Sequence, residues 1–333
     1  MAGKKASGQT TILQVAAQSG LSIATVSRVL NGGKYVSSKT REKVLLAAKE
    51  LNYQPNFMAR QLHGQEEFSV GVLLGMEIGS ISPYALKVYE ALKRYLEEKG
   101  YRAKRVKFDA DNQVQTEARA YISIGVHDSD PRLHSVKQAG SPIIYVGEPR
   151  DKAFWVASND EQGGTLATQH LLNNGCRTIY FVSLDNSHTV SQLRVAGYRK
   201  AMLDAGLIPS EVIEVPGGSG LSALDSYRRI RPLLESGLKP DGFVAFSDIV
   251  ATGVCMAITD YGKQIPEDIQ VVGYDGIDNE LYHSLTSICQ NTEEIAEKAA
   301  ELAVDAIRNS LPRGAYLDVK IRQGRTSKVL TTV

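Results

Sequence analysis

Between Thr11 and Asn31 the chain reads TILQVAAQSGLSIATVSRVLN, a stretch whose residue types suit contact with a nucleic acid. Arg28 can offer a bidentate pair of hydrogen bonds to guanine, and Ile23 or Ala24 can meet a thymine methyl. Ser22, Thr25, Ser27 and Asn31 are short hydroxyl and amide groups that suit phosphate oxygens. A helix start that carries hydroxyls is also an anion site in its own right. The spacing predicts a helix with Val26, Val29 and Leu30 turned inward and Ile23, Ala24 and Arg28 towards one outer face. Ala16 is small where a preceding helix would cross, Gly20 suits a left-handed turn, and Val26 packs back. Those are the needs of a helix-turn-helix crossing, although an ordinary helical hairpin packs the same way.

The elements that must position these groups are short. Apolar residues fall at Ile12, Val15 and Ala16, then Val26, Val29 and Leu30, then Val44, Leu45, Ala48 and Leu51. Steps of three and four predict three helices, with Ser22 and Ser38 as N-caps of the second and third. Residues 1–64 hold nine Lys and Arg against two acids, so this front is +7 and the remainder −6 in a chain of net charge +1. A basic head on an acidic body predicts a polyanionic partner for the head alone. Pro55 then pushes its predecessor out of helical geometry. Residues 56–63 fit two helical turns, too few for a stable helix in water by themselves, so they read as a linker that folds in company.

Beyond Glu67, β-branched runs alternate with amphipathic stretches. Strands are expected at Phe68–Leu74, Arg105–Phe108, Pro142–Val146, Thr178–Val182, Gly242–Ala245 and Ile269–Val272, and helices at 83–99, 161–174, 190–205, 223–236, 248–262 and 292–310. Such alternation predicts an α/β body of parallel sheets covered by helices, long enough for two similar lobes. With 43% hydrophobic and 23% charged residues the balance is that of a soluble globular protein. No apolar run reaches the roughly 18 residues of a membrane helix. MAGKKASGQTT fails as a secretory signal for want of an apolar stretch. Cys176, Cys255 and Cys289 are odd in number and far apart, which suits a reduced cytoplasmic setting. Gly217-Gly218-Ser219-Gly220 lacks the Lys-Ser/Thr of a phosphate loop. Asp275, Asp278, Glu280 and His283 lack the spacing of a metal set. No Gly-x-Ser-x-Gly elbow is present. Neither an enzyme nor a cofactor or metal site is expected.

Read in order, Val15-Ala16, Gly20-Leu21-Ser22, Thr25 through Asn31, Val36-Ser37, Thr40 through Val44, Leu51 through Asn56 and Ala59-Arg60-Gln61-Leu62 closely resemble the lactose/galactose-repressor (LacI/GalR) family. The resemblance implies that Ile23, Ala24 and Arg28 read bases in the major groove. It implies backbone contacts from Ser22, Thr25, Ser27, Asn31, Ser37, Tyr53 and Asn56. It also implies a hinge helix that folds on the operator, with Ala59 and Leu62 at the minor groove and Leu62 wedged into the central step. The resemblance further implies a homodimer on a pseudo-palindromic double-stranded operator, an arrangement that two-fold symmetry also demands.

The likeness continues more weakly through Phe68–Leu74, Asp160-Glu161-Gln162-Gly163-Gly164, Arg194-Val195-Ala196-Gly197-Tyr198 and Val271-Val272-Gly273-Tyr274-Asp275. It implies a periplasmic-binding-protein-like body of two doubly wound lobes with a small-molecule effector between them. The implied division is a DNA-binding head at 1–55, hinge and linker at 56–66, and a body at 67–333. Within the body, lobe 1 spans about 67–168 plus 291–318, and lobe 2 about 169–290 plus 319–333. By the same resemblance Arg194 bonds the effector and Asp275 accepts from its hydroxyls. Ser247 stands where sugar-sensing members often carry Asn, Ser82 and Tyr84 belong to a cleft-lining turn, and Leu221 supplies an apolar wall. Each has a plainer reading: Arg194 as a surface ion-pair partner, Asp275 as a turn cap, Ser247 as a helix cap. Ser82-Pro83-Tyr84-Ala85 replaces the family's Asn-Pro-Phe-Phe, and the family's usual Val-Asp-Gly-Ile-Ile strand is absent, with Ala120–Gly125 standing nearby after a shortened region. That shortening is similar to the lactose-operon and evolved-β-galactosidase-operon branch, which implies a galactoside effector. The implied function is a ligand-controlled repressor, with co-repression as the alternative sense of response. A transport solute-binding protein would need export and has no use for a basic head.

Overall fold

The computed structural model describes residues 12–30, 36–51, 68–77, 80–184, 189–215, 222–277 and 285–329. Three helices, α1 (Ile12–Ser19), α2 (Ile23–Leu30) and α3 (Ser38–Glu50), bury Val15, Ala16, Val26, Val29, Val44 and Ala47 against one another. Gly20 makes the turn between α1 and α2 at φ +63°, a left-handed conformation that side chains resist. Ser22 caps α2, its hydroxyl accepting from the Thr25 amide at 3.2 Å. Ser37, and not Ser38, caps α3: its hydroxyl accepts from the Thr40 amide at 3.2 Å. The reason is local, since Ser37 is still extended (φ −62°, ψ 148°) while Ser38 already lies in the helix.

The body holds two six-stranded sheets. The first runs β4 (Arg102–Arg105), β1 (Ser69–Leu74), β5 (Ala120–Ile124), β6 (Ile143–Val146), β7 (Phe154–Ser158) and β13 (Gly314–Leu317), every neighbour parallel. A short antiparallel pair, β2 (Met76–Glu77) and β3 (Ser80–Ile81), follows β1. Helices α4 (Pro83–Glu98) and α10 (Thr292–Ile307) cover one face, and α5 (Pro131–Gln138) covers part of the other. The second sheet runs β9 (Ile213–Val215), β8 (Ile179–Leu184), β10 (Gly242–Ala245), β11 (Gln270–Asp275), β12 (Thr286–Cys289) and β14 (Lys320–Arg322). It is parallel except for β14. Helices α6 (Asp160–Asn173) and α7 (Thr189–Asp204) cover one face, with α8 (Ser222–Glu235) and α9 (Asp248–Asp260) on the other. Strands covered on both faces need apolar side chains throughout, hence the unbroken burial of β1 and β10.

Two further expectations are corrected. The change of lobe expected near residue 168 falls instead between Ser158 and Asp160, because residue 168 lies inside α6 and that whole helix packs on the second sheet. The chain crosses again around Gln290 and between Leu317 and Lys320. The strand expected at Arg105–Phe108 lies at Arg102–Arg105, since this is an edge strand whose exposed Arg102 and Arg105 hide the apolar pattern.

Candidate DNA-reading helix and effector cleft

The outer face of α2 presents Ser22, Ile23, Ala24 and Arg28 to solvent, with Thr25 and Ser27 half-buried at its flank. Ile23, an apolar side chain, is nevertheless 46% exposed, an arrangement that suits a groove rather than a core. The Ser22 and Thr25 hydroxyls lie 2.8 Å apart and Ser37 is exposed at the start of α3. Asn31, Tyr53, Asn56, Ala59 and Leu62 lie outside the described residues, as does Leu221 of the expected apolar wall.

In the body, the carboxyl ends of both parallel sheets and the helix starts that follow them face one cleft of about 340 Å³. It brings together Ser82, Tyr84, Arg194, Ser247 and Asp275, which are scattered over almost 200 residues of chain. Arg194 lies on α7 at its crossing with α6, where a Cβ on Gly164 would stand 2.0 Å from the Arg194 carbonyl oxygen. This close approach fixes the arginine backbone against the partner helix. Its side chain is no surface group: the residue is 4% exposed. Nε donates to Asp160 Oδ1 at 2.7 Å, Nη1 donates to the Phe246 carbonyl at 2.6 Å, and Nη1 lies 3.9 Å from Asp275 Oδ1. The guanidinium stacks 3.5 Å from the Tyr274 ring centre, with Phe246 at 4.7 Å on another side. Burial works against its charge, but Asp160, Tyr274 and Asp275 outweigh that and hold its pKa above the ordinary arginine value. Burial likewise raises the Asp160 carboxyl, with Arg194 pulling the other way.

Asp275 ends β11 at φ +105°, an uncommon conformation for a residue with a side chain and one that gathers at binding sites. Its Oδ1 accepts from Gln290 Nε2 at 2.7 Å, and Gln290 Oε1 accepts in turn from the Ser158 hydroxyl at 2.7 Å. Ser158 and Gln290 stand at two of the chain's passages between lobes, so the polar chain from Asp160 through Arg194 and Asp275 reaches the hinge itself. Tyr84 packs against the apolar clusters of both lobes, and burial with Asp275 nearby raises its hydroxyl above the ordinary tyrosine value. Ser82 and Ser247 are helix caps as well as cleft residues, accepting from the amides of Ala85 at 3.4 Å and Val250 at 3.3 Å. Asp248, 1% exposed, accepts from the Ile277 amide at 2.8 Å and the Ser287 hydroxyl at 2.6 Å. Burial lifts its pKa to about 6.

Sequence reasoning missed the first-lobe wall. Arg150 donates to Asp128 at 2.6 Å and Glu148 at 3.0 Å and lies 4.2 Å over the Tyr145 ring. Glu148 and Arg150 follow β6, and charged residues just past the carboxyl end of a parallel strand were the available signal. Asp160 and Gln290 were also missed as cleft residues, because nothing in their spacing ties them to Arg194 or Asp275.

Residues 11–56 match the family described as bacterial regulatory proteins, lacI family, and residues 168–326 match a periplasmic binding protein-like domain. The chain is 32% identical over 314 residues to the ribose operon repressor of Halalkalibacterium halodurans, covering 90% of each. The chain belongs to the LacI family. Another relative, the HTH-type transcriptional repressor PurR of Erwinia tasmaniensis, is 29% identical over 93% of this chain and 94% of its own length. The crystal structure of the lac repressor dimer bound to operator and the anti-inducer ONPF superposes with a TM-score of 0.67 at 24% identity, covering 97% of this chain and all of that one. The likeness to that structure is one of fold: a helical head and two parallel-sheet lobes. Among the described residues of this LacI-family chain, no helix is long and apolar enough to cross a membrane.

Proposed function

We propose that the protein is a cytoplasmic, sugar-responsive repressor that binds a pseudo-palindromic operator as a homodimer and carries no catalytic activity. The observation behind this reading is the buried chain Asp160–Arg194–Asp275–Gln290–Ser158, which joins the floor of the cleft to the passages between lobes. A ligand that bonds Asp275 or Arg194 touches the same groups that set the lobe arrangement. Only a difference in affinity between two arrangements can move the heads, and coupling of this kind is typically about 1–3 kcal/mol. Ile23, Ala24 and Arg28 are the proposed base readers; Ser22, Thr25, Ser27, Asn31, Ser37, Tyr53 and Asn56 the proposed phosphate contacts; Ala59 and Leu62 the proposed minor-groove residues. Ser82, Tyr84, Arg194, Leu221, Ser247 and Asp275 are the proposed effector contacts.

A sugar suits this cleft because donors and acceptors alternate along it, with Arg194 donating and Asp275 and Asp160 accepting. A flat base is less well served, since Tyr145 and Phe246, aromatic rings that line the cleft, each carry a guanidinium against the ring. The name of the halodurans relative supports ribose as a first candidate, and a galactoside, expected from the shortened first-lobe region, is the other. The test is a thermal-shift series of the full chain with ribose, galactose and lactose, followed by gel shifts on its own upstream region. Binding raises the melting temperature by mass action. Operator affinity should fall with salt at a log–log slope of about −0.9 per neutralised phosphate. The bound sugar should change operator affinity in wild type but not in Asp275→Asn, which keeps a residue that tolerates positive φ. A flat salt dependence, or an unimpaired response in the variant, refutes the assignment.

A further inference from the structure

Doubly wound folds ordinarily offer phosphates a ready seat, because helix N-termini gather at the carboxyl ends of the strands. Among the described residues, four helix starts at this cleft have that seat filled by their own side chains. Ser82 caps α4, Asp130 caps α5 by accepting from the Arg132 amide at 2.8 Å, Asn159 caps α6 by accepting from the Gln162 amide at 3.1 Å, and Ser247 caps α9. Asp160 and Asp248 add carboxylates to the first turns of α6 and α9, where they already complement the helix dipole.

The cations are largely committed as well. Arg194 spends Nε on Asp160 and Nη1 on Phe246, which leaves Nη2 for the effector, and Arg150 spends its two terminal nitrogens on Asp128 and Glu148, its buried Nε alone having no hydrogen-bond partner among the described residues. Five carboxylates line the cleft against two guanidiniums, with no lysine among the described lining residues. Adding the ion-pair partners just outside it, Asp128, Arg132 and Lys137, leaves six carboxylates against four cations. We infer that the cleft excludes anions, so that its effector is an uncharged polyhydroxyl compound and the phosphate ester of that compound is rejected. This deepens the sugar reading above and rests on it.

The experiment uses the full chain and matched pairs: ribose with ribose 5-phosphate, galactose with galactose 6-phosphate, and glucose with glucose 6-phosphate, titrated by calorimetry. One free sugar should bind, with its ester weaker by about 100-fold or more, the scale of like-charge juxtaposition in a low-dielectric site. Glu148→Gln should narrow that ratio, because removing one carboxylate relieves repulsion without enlarging the space. An ester that binds as tightly as its parent overturns the inference while leaving the sugar reading intact. A ratio unmoved by Glu148→Gln makes the rejection one of size and also overturns it. Failure of every member, free and esterified, overturns the sugar reading and the inference together.

Discussion

Removing the Asp160 carboxylate should cost more stability than removing any exposed charge in the molecule. In Asp160→Ala the Arg194 guanidinium stays buried without its 2.7 Å partner. Breaking a buried pair by deleting one member costs about 3–5 kcal/mol, chiefly because the other charge is stranded. Here the lower end applies, since Nη1 keeps the Phe246 carbonyl at 2.6 Å and Asp275 at 3.9 Å, and the Tyr274 ring still faces the cation. About 3 kcal/mol is a large share of the roughly 5–15 kcal/mol that holds a domain folded. At about 2–4 °C per kcal/mol for a unit of this size, the melting temperature should fall by about 6–12 °C. The second arm is Asp160→Leu combined with Arg194→Met, which removes both charges and fills the space. Well-packed apolar replacement of a buried pair is often neutral, so the double variant should recover most of the loss. Urea melts of wild type, Asp160→Leu, Arg194→Met and the double variant close the cycle, with Asp160→Ala measured beside them. A loss below about 1 kcal/mol in Asp160→Ala, or a double variant as unstable as the two singles summed, would refute the reasoning.

Other outcomes are open to direct measurement. Asp248 ionises near pH 6 in the folded chain against an ordinary 3.8, so the folded state holds an extra proton between those values. The stability this gives is complete below about pH 4 and is lost as pH rises to about 6; urea melts of Asp248→Asn across that window should show a flatter profile than wild type. Gly20→Val forces a β-branched residue to φ +63° and should destabilise the head by about 1–2 kcal/mol, with operator affinity falling in parallel in a gel shift. Arg28→Ala should cost about 1–3 kcal/mol of operator binding and relax selection at one base position in a randomised-site library; undiminished selectivity removes Arg28 as a reader.

Much of the architecture was legible because it is written in local pattern. β1, β8, β10 and β11 are built around short apolar runs between helical stretches of the right length, and the head announces itself through Ala16, Gly20 and Val26. β4 was displaced because an edge strand need not look apolar, and β7 was overlooked because its five residues follow an irregular charged stretch with no turn signal of their own. The eight residues of α5 were missed although Asp130-Pro131 is a fair start signal. In the cleft, Arg194 and Asp275 were found through resemblance. Asp160 was noticed only as part of a strand-to-helix passage, since its partner stands 34 residues away and no period links them. Ser247 shows both its readings at once, a cap that also lines the cleft.

The three passages of the chain between lobes bear on how the molecule is made. β13 completes the first sheet and β14 the second, so a growing chain holds two ragged sheets until residue 322 has left the ribosome. A product truncated before Gly314 would leave the Trp155 edge uncovered, with no Tyr316 to stack on that indole at 4.8 Å. Such fragments would keep the basic head without a finished body to govern it.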